Sequence, residues 1–104
     1  MTSAETPQET ITQARLLKAL ADPTRLAIVR LLCRDGDTHT VSELARRFPL
    51  SQPTFSNHLC VLRAAGLVDY RKRAGYVYYF ICPEQIERLQ QIVNELAAGS
   101  ECTA

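Results

Sequence analysis

Proline and glycine set the frame of this chain. Its 104 residues contain five prolines and four glycines. Most of them stand where an element must start or stop. Pro23, Pro53 and Pro83 read as first-turn residues of helices, where a missing N–H costs nothing. Gly36, Gly66 and Gly99 follow the expected ends of apolar-periodic segments. Gly75 divides two runs of alternating apolar residues, as a hairpin turn requires. A chain punctuated in this way can hold only short helices and one short hairpin.

The pieces between these points read as seven elements. A first helix from about Ile11 to Ala21 places Ile11, Ala14, Leu17, Leu20 and Ala21 at helical spacing. Asp22 caps a second helix, with Pro23 at its first position, carrying Leu26, Val29, Leu32 and Cys33 up to Gly36. Thr40 and Glu43 form a capping box that opens a third helix, Val41 to Phe48. Pro49 and Leu50 make a tight turn. Ser51 then caps a fourth helix, with Phe55, Leu59 and Leu62 as its buried stripe and Gly66 at its end. Strands Leu67–Lys72 and Tyr76–Ile81 pair across Ala74-Gly75. A last helix from Pro83 presents Ile86, Leu89, Val93 and Leu96 on one face. The predicted fold is mainly α with a β-hairpin, in the order α-α-α-α-β-β-α. Two short helices joined by a tight turn and followed by a hairpin describe a winged helix-turn-helix. Residues 11–98 form the expected domain, with flexible segments at 1–10 and 99–104. A core this small gains from being shared in a dimer.

Charge adds a partner. The formal net charge is only +1, but it is unevenly placed. Residues 44–80 carry Arg46, Arg47, Arg63, Arg71, Lys72 and Arg73 against Asp69 alone, while the segments on either side are acidic. A basic block of this kind is the electrostatic footprint of a nucleic-acid contact. On a helical wheel the fourth helix turns Pro53, Asn57, Cys60 and Ala64 away from its apolar stripe, with Thr54 and Ser56 on the shoulders. Such a small, polar face can lie close in the major groove, where Gln and Asn pair with adenine and Ser and Thr reach bases or phosphates. The amides after Ser51 face a phosphate favourably. Arg71, Lys72 and Arg73 at the hairpin tip suit phosphates or the minor groove. The expected DNA-contacting set is Ser51, Gln52, Pro53, Thr54, Ser56, Asn57, His58, Arg71, Lys72 and Arg73. Tyr76, Tyr78 and Tyr79 read as packing groups.

Other classes fit poorly. The longest apolar run, Tyr76–Cys82, has seven residues, far short of a membrane span. The first ten residues are polar and acidic, the opposite of a secretion signal, so a cytoplasmic chain with reduced thiols is expected. Two histidines and scattered carboxylates supply no paired acid, base and nucleophile, so an enzyme is not expected. A protein-interaction module would want an apolar patch on the outer face of the fourth helix, and the sequence shows none there.

The stretches LLKALADPTRLAIVRLL, LSQPTFSNHLCVLRAAGLV and RAGYVYYFI together resemble the ArsR/SmtB family of bacterial transcriptional repressors. The resemblance covers roughly residues 14–96. It implies a homodimer joined through the first and last helices, bound to an inverted-repeat DNA operator and released by an inducer. At the turn, where the family often has Gly, this chain has Pro49.

The inducer is open. Cys33, Cys60, Cys82 and Cys102 lie 27, 22 and 20 residues apart, without the close pairs of a zinc finger. The simplest expectation makes most of them small core residues. The resemblance implies two known sensor sites, and both lack their ligands: Thr40 and Ser42 stand where the third-helix cysteines would, and the last helix has no histidine. Three alternatives stand. Cys33 and Cys102 lie about one turn beyond the positions of a redox-responsive pair in some family members. Cys60 or Cys82 with Cys102 of a second chain could take arsenite or a soft metal ion. Or no cysteine senses anything, and control comes from a non-thiol ligand or a protein partner. No cofactor is required for DNA binding itself.

Overall fold

The computed structural model describes residues 7–100. Its elements are α1 (Pro7–Leu20), α2 (Pro23–Asp35), α3 (Val41–Ala45), α4 (Gln52–Ala64), β1 (Val68–Arg73), β2 (Tyr76–Ile81) and α5 (Pro83–Ser100). The order is the predicted one. α1 starts four residues before Ile11, and α5 runs through Gly99 to Ser100, so that glycine does not end the helix. The rest of the two terminal segments, 1–6 and 101–104, lies outside the described residues.

Local chemistry accounts for the boundaries. The Asp22 carboxylate accepts the Arg25 N–H at 3.0 Å, and Gly36, at φ 68°, donates its N–H to the Leu32 carbonyl. At α3 the capping box closes both ways. The Glu43 N–H donates to Thr40 Oγ1 at 3.1 Å, and the Thr40 N–H donates to Glu43 Oε1 at 2.8 Å. α3 nevertheless stops at Ala45 rather than Phe48. Pro49 disfavours helical geometry at the residue before it, so residues 46–50 unwind into turns. The Leu50 N–H reaches back across Pro49 to the Phe48 carbonyl at 2.9 Å. β1 begins at Val68 instead of Leu67. The Leu67 N–H closes α4 onto the Leu62 carbonyl, and its own carbonyl accepts from Cys82 at the foot of the hairpin.

The core gathers one face of every helix. Leu16 and Ala19 of α1, Ile28 and Leu32 of α2, Leu44 of α3, Phe55, Leu59 and Leu62 of α4, and Leu89 and Ile92 of α5 are all buried with Leu67 and Val68. On three helices the apolar residues at helical spacing do not all face the core. On α1 the residues facing inward are Leu16, Ala19 and Leu20, while Ile11, Ala14 and Leu17 are exposed. On α2, Ile28 and Leu31 are buried, whereas Leu26 and Cys33 are exposed. On α5, Val93 is 55% exposed and Leu96 67%, while Ile92 is buried. Leu96 shares the side of Leu89 but lies about 10 Å further along the axis. The molecule is 52 Å long but only 26 by 22 Å across.

The strands pair antiparallel, with Val68 opposite Ile81 and Arg73 opposite Tyr76. Ala74 and Gly75 both take positive φ, 52° and 82°. That is the mirror-image turn whose twist suits a hairpin. A third backbone segment joins at one point, where Thr40 bridges to Tyr78.

Candidate nucleic-acid interface

α4 is held so that its first two turns face solvent. Ser51 Oγ accepts the Thr54 N–H at 3.3 Å and donates to Thr54 Oγ1 at 2.9 Å. The Phe48 and Phe55 rings meet at 5.5 Å between centroids, fixing the turn to the helix it introduces. With Phe55, Leu59 and Leu62 locked inward, Ser51, Gln52, Pro53, Thr54, Ser56, Asn57 and Cys60 are all exposed. Among them are Pro53, Asn57 and Cys60, which the wheel turned outward, and Thr54 and Ser56, which it put on the shoulders.

His58 points elsewhere. Its ring is largely buried against α2, with Nδ1 at 3.2 Å from Arg25 Nη1 and 3.9 Å from Asp22 Oδ2. The Asp22 carboxyl is held below its usual range chiefly by the Arg25 N–H, with the His58 ring adding to it. The imidazole thus ties α4 to the capped start of α2, on the side away from Asn57.

The hairpin cations do not form one cluster. Neighbouring residues of a strand point to opposite faces. Lys72 shares a cavity of about 320 Å³ with Ser56 and Cys60 of α4 and with Tyr70, Val77 and Tyr79. Arg71 and Arg73 lie on the other face. The Arg71 guanidinium stacks over Phe80 at 4.5 Å and stands 3.9 Å from the Asp37 carboxylate. The Arg73 guanidinium stacks over Tyr78 at 4.0 Å and donates to the Asp37 carbonyl at 3.1 Å. Both side chains are therefore positioned by ring faces and by one residue of the α2–α3 turn. Asp37 gave no sign in the sequence, because it stands more than thirty residues before the strand it meets. At the hairpin base Arg63 bonds Asp69 at 3.0 Å and covers the Tyr70 ring. Of the tyrosines, Tyr79 packs on the core, Tyr78 is half-buried and Tyr76 is 60% exposed.

None of the described cysteines is a core residue, which corrects that expectation. Their small side chains fall on helix faces and a junction that the larger aliphatic residues leave open. Cys33 is exposed near the end of α2, Cys60 is exposed on α4, and Cys82 is half-buried at the β2–α5 junction. Cys60 and Cys82 line one cavity with Arg63, Asp69 and Tyr79. Burial pushes the Cys82 thiol up, and the Asp69 and Glu84 carboxylates push it further, so it stays protonated at neutral pH. Cys102 lies outside the described residues. Among the described residues no three His, Cys, Asp or Glu side chains are grouped to hold a metal ion.

A capped and exposed recognition helix, a tight turn before it and a basic two-stranded wing beside it define a winged helix-turn-helix protein of the DNA-binding regulator class. Residues 20–71 match the family model described as a helix-turn-helix domain. A helix-turn-helix transcriptional regulator of Methanocaldococcus jannaschii is 36% identical over 83 residues, covering 80% of this chain and 92% of that protein. The arsenical resistance operon repressor of Escherichia coli is 40% identical over 81 residues, covering 78% and 68%. The homodimeric winged helix-turn-helix DNA-binding domain from Mycobacterium bovis superposes with a TM-score of 0.68 at 30% identity, covering 93% and 91%. The chain belongs to the ArsR/SmtB family of transcriptional regulators.

Proposed function

We propose that the chain is a sequence-specific repressor that binds an inverted-repeat operator as a homodimer. The observation that carries this reading is the exposed polar start of α4, fixed by the Ser51 cap and the Phe48–Phe55 contact beside the basic wing. Gln52, Thr54, Ser56 and Asn57 read base edges, and Lys72, Arg71 and Arg73 meet phosphates or the minor groove. Dimerisation is supported by the homodimeric Mycobacterium bovis neighbour and by the exposed Ile11, Leu17, Val93 and Leu96 on α1 and α5. Release by a thiol-directed agent belongs to the same reading. Cys33 and Cys60 are its candidates in the described residues, because both are exposed, whereas the raised Cys82 thiol is a poor nucleophile.

The test is binding to fluorescently labelled upstream DNA, with random DNA as control. Asn57→Ala or Gln52→Ala should erode the preference for the operator. Arg71→Ala or Arg73→Ala should weaken binding to all sequences and flatten its salt dependence. Equal losses on both DNAs for all four variants would overturn the groove assignment. Arsenite, a metal panel, persulfide and peroxide are then added to the wild type and to Cys→Ser variants. Operator binding that no agent alters would remove the thiols from the mechanism and leave a non-thiol ligand or a protein partner as the signal.

A further inference from the structure

Another cleft lies behind the recognition helix. It occupies about 510 Å³ between α1, the start of α2 and the last turns of α4. Volumes of roughly 300–1,000 Å³ are usual for small-molecule sites. Its floor is apolar and made of small side chains: Ala19 of α1, Val61 and Ala64 of α4, and Ala65 just past the end of α4. Its remaining lining is three cations, Arg15, Lys18 and Arg25, with no carboxylate among them.

One of these cations is fixed in place. Arg25 Nε donates to the Ala19 carbonyl at 2.6 Å, and Nη1 meets His58 Nδ1 at 3.2 Å. The guanidinium is thus oriented by the fold. Arg15 and Lys18 stand one turn apart on α1, and their side-chain cations make no hydrogen bond or ion pair among the described residues. The Asp22 carboxylate offsets part of the Arg25 charge, but Arg15 and Lys18 still leave the cleft positive. Positive charge around an apolar floor attracts an anion, and the floor adds affinity only for a ligand with an apolar body. A bare phosphate would leave that floor uncovered. DNA is poorly placed to supply the anion, since Val61 follows Ser51 by about 15 Å along the helix axis, at the other end of α4 from Gln52.

We propose that this cleft binds a small organic anion, an apolar body bearing one carboxylate, and that its occupancy shifts the recognition helix against α1. The second half rests on the DNA-binding reading above, while the first half stands without it. An occupant would wedge between Ala64 on α4 and Arg15 and Lys18 on α1. It therefore favours whichever setting of α4 opens the cleft.

Calorimetry at low salt tests the site, using 2-naphthoate, its uncharged amide and inorganic phosphate as probes. Naphthoate should saturate one site per chain. The amide should bind at least tenfold more weakly, and phosphate should show no saturable binding. The double variant Arg15→Ala with Lys18→Ala should weaken naphthoate at least tenfold, as should Ala64→Leu, which fills the cleft. These positions are exposed, and circular dichroism with unfolding midpoints should show both variants folded as the wild type. Failure of naphthoate to bind, equal binding of the amide, or unchanged affinity in the folded variants would each overturn the site. So would a double variant whose only defect is weaker, less salt-dependent DNA binding, since its cations would then be phosphate contacts. Naphthoate should also change the concentration for half-binding of labelled upstream DNA in the wild type but not in Ala64→Leu. Naphthoate bound with DNA affinity unmoved would overturn the coupling. A chain that binds naphthoate but no DNA would overturn the repressor reading and leave the site standing.

Discussion

Single side chains set how the wing is presented. Asp37 holds both wing arginines, Arg71 through its carboxylate and Arg73 through its carbonyl. Asp37→Asn removes one negative charge beside two groups that would meet phosphates, and leaves the carbonyl contact in place. It should raise affinity for random DNA several-fold and steepen its salt dependence, as measured by fluorescence anisotropy across a salt series. A weaker complex instead would make the carboxylate a positioning group. Asp35 makes a different prediction. Arg34, followed by His39, lowers its carboxyl from 3.8 to about 2 in the folded chain. A depressed acid contributes stability above its ordinary range and loses it as pH falls through the folded value. Urea midpoints of the wild type and Asp35→Asn should therefore differ at about pH 6 and converge as pH approaches about 2. A constant gap across that window would sever the link to titration.

At the scale of elements, helix starts and the recognition helix were legible because their chemistry is local. A cap and its partner sit three residues apart, so Asp22, Thr40 with Glu43, and Ser51 could be read directly. The Ala74-Gly75 turn was legible for the same reason, yet Ala74 carries a strain that the pattern did not show, since a side chain at φ 52° is unfavourable. Ala74→Gly should relieve it and stabilise the chain by about 1 kcal/mol in chemical denaturation, less the entropy glycine adds to the unfolded state. A loss of stability would show that the turn is not strained. Which face of α1 and α5 turns inward is not legible in the sequence, because periodicity reveals an apolar face without revealing what covers it. Ile11, Ala14 and Leu17 have the spacing of a core stripe, but Leu16 and Ala19 are what α1 turns to its own chain. The split of Lys72 from Arg71 and Arg73 onto opposite faces follows from the strand's two-residue alternation, whereas the Asp37 contact is hidden by its distance along the chain.

The whole molecule is elongated, and α1 and α5 leave Leu17 and Leu96 exposed. Leu17→Glu with Leu96→Glu puts charge on the exposed apolar surface without touching a buried residue. In analytical ultracentrifugation this variant should sediment as a monomer with unchanged helicity. Its operator affinity should fall by at least the tenfold that losing the second reading head implies. A variant that stays dimeric would move the interface off these helices.

Thr40 does two jobs, starting α3 with its side chain and pairing to Tyr78 of the hairpin with its backbone. The start of α3 and the wing thereby share one pivot, so their relative setting hangs on a single residue. A change there that costs both the cap and the bridge would loosen helix and hairpin together, two faults with one origin.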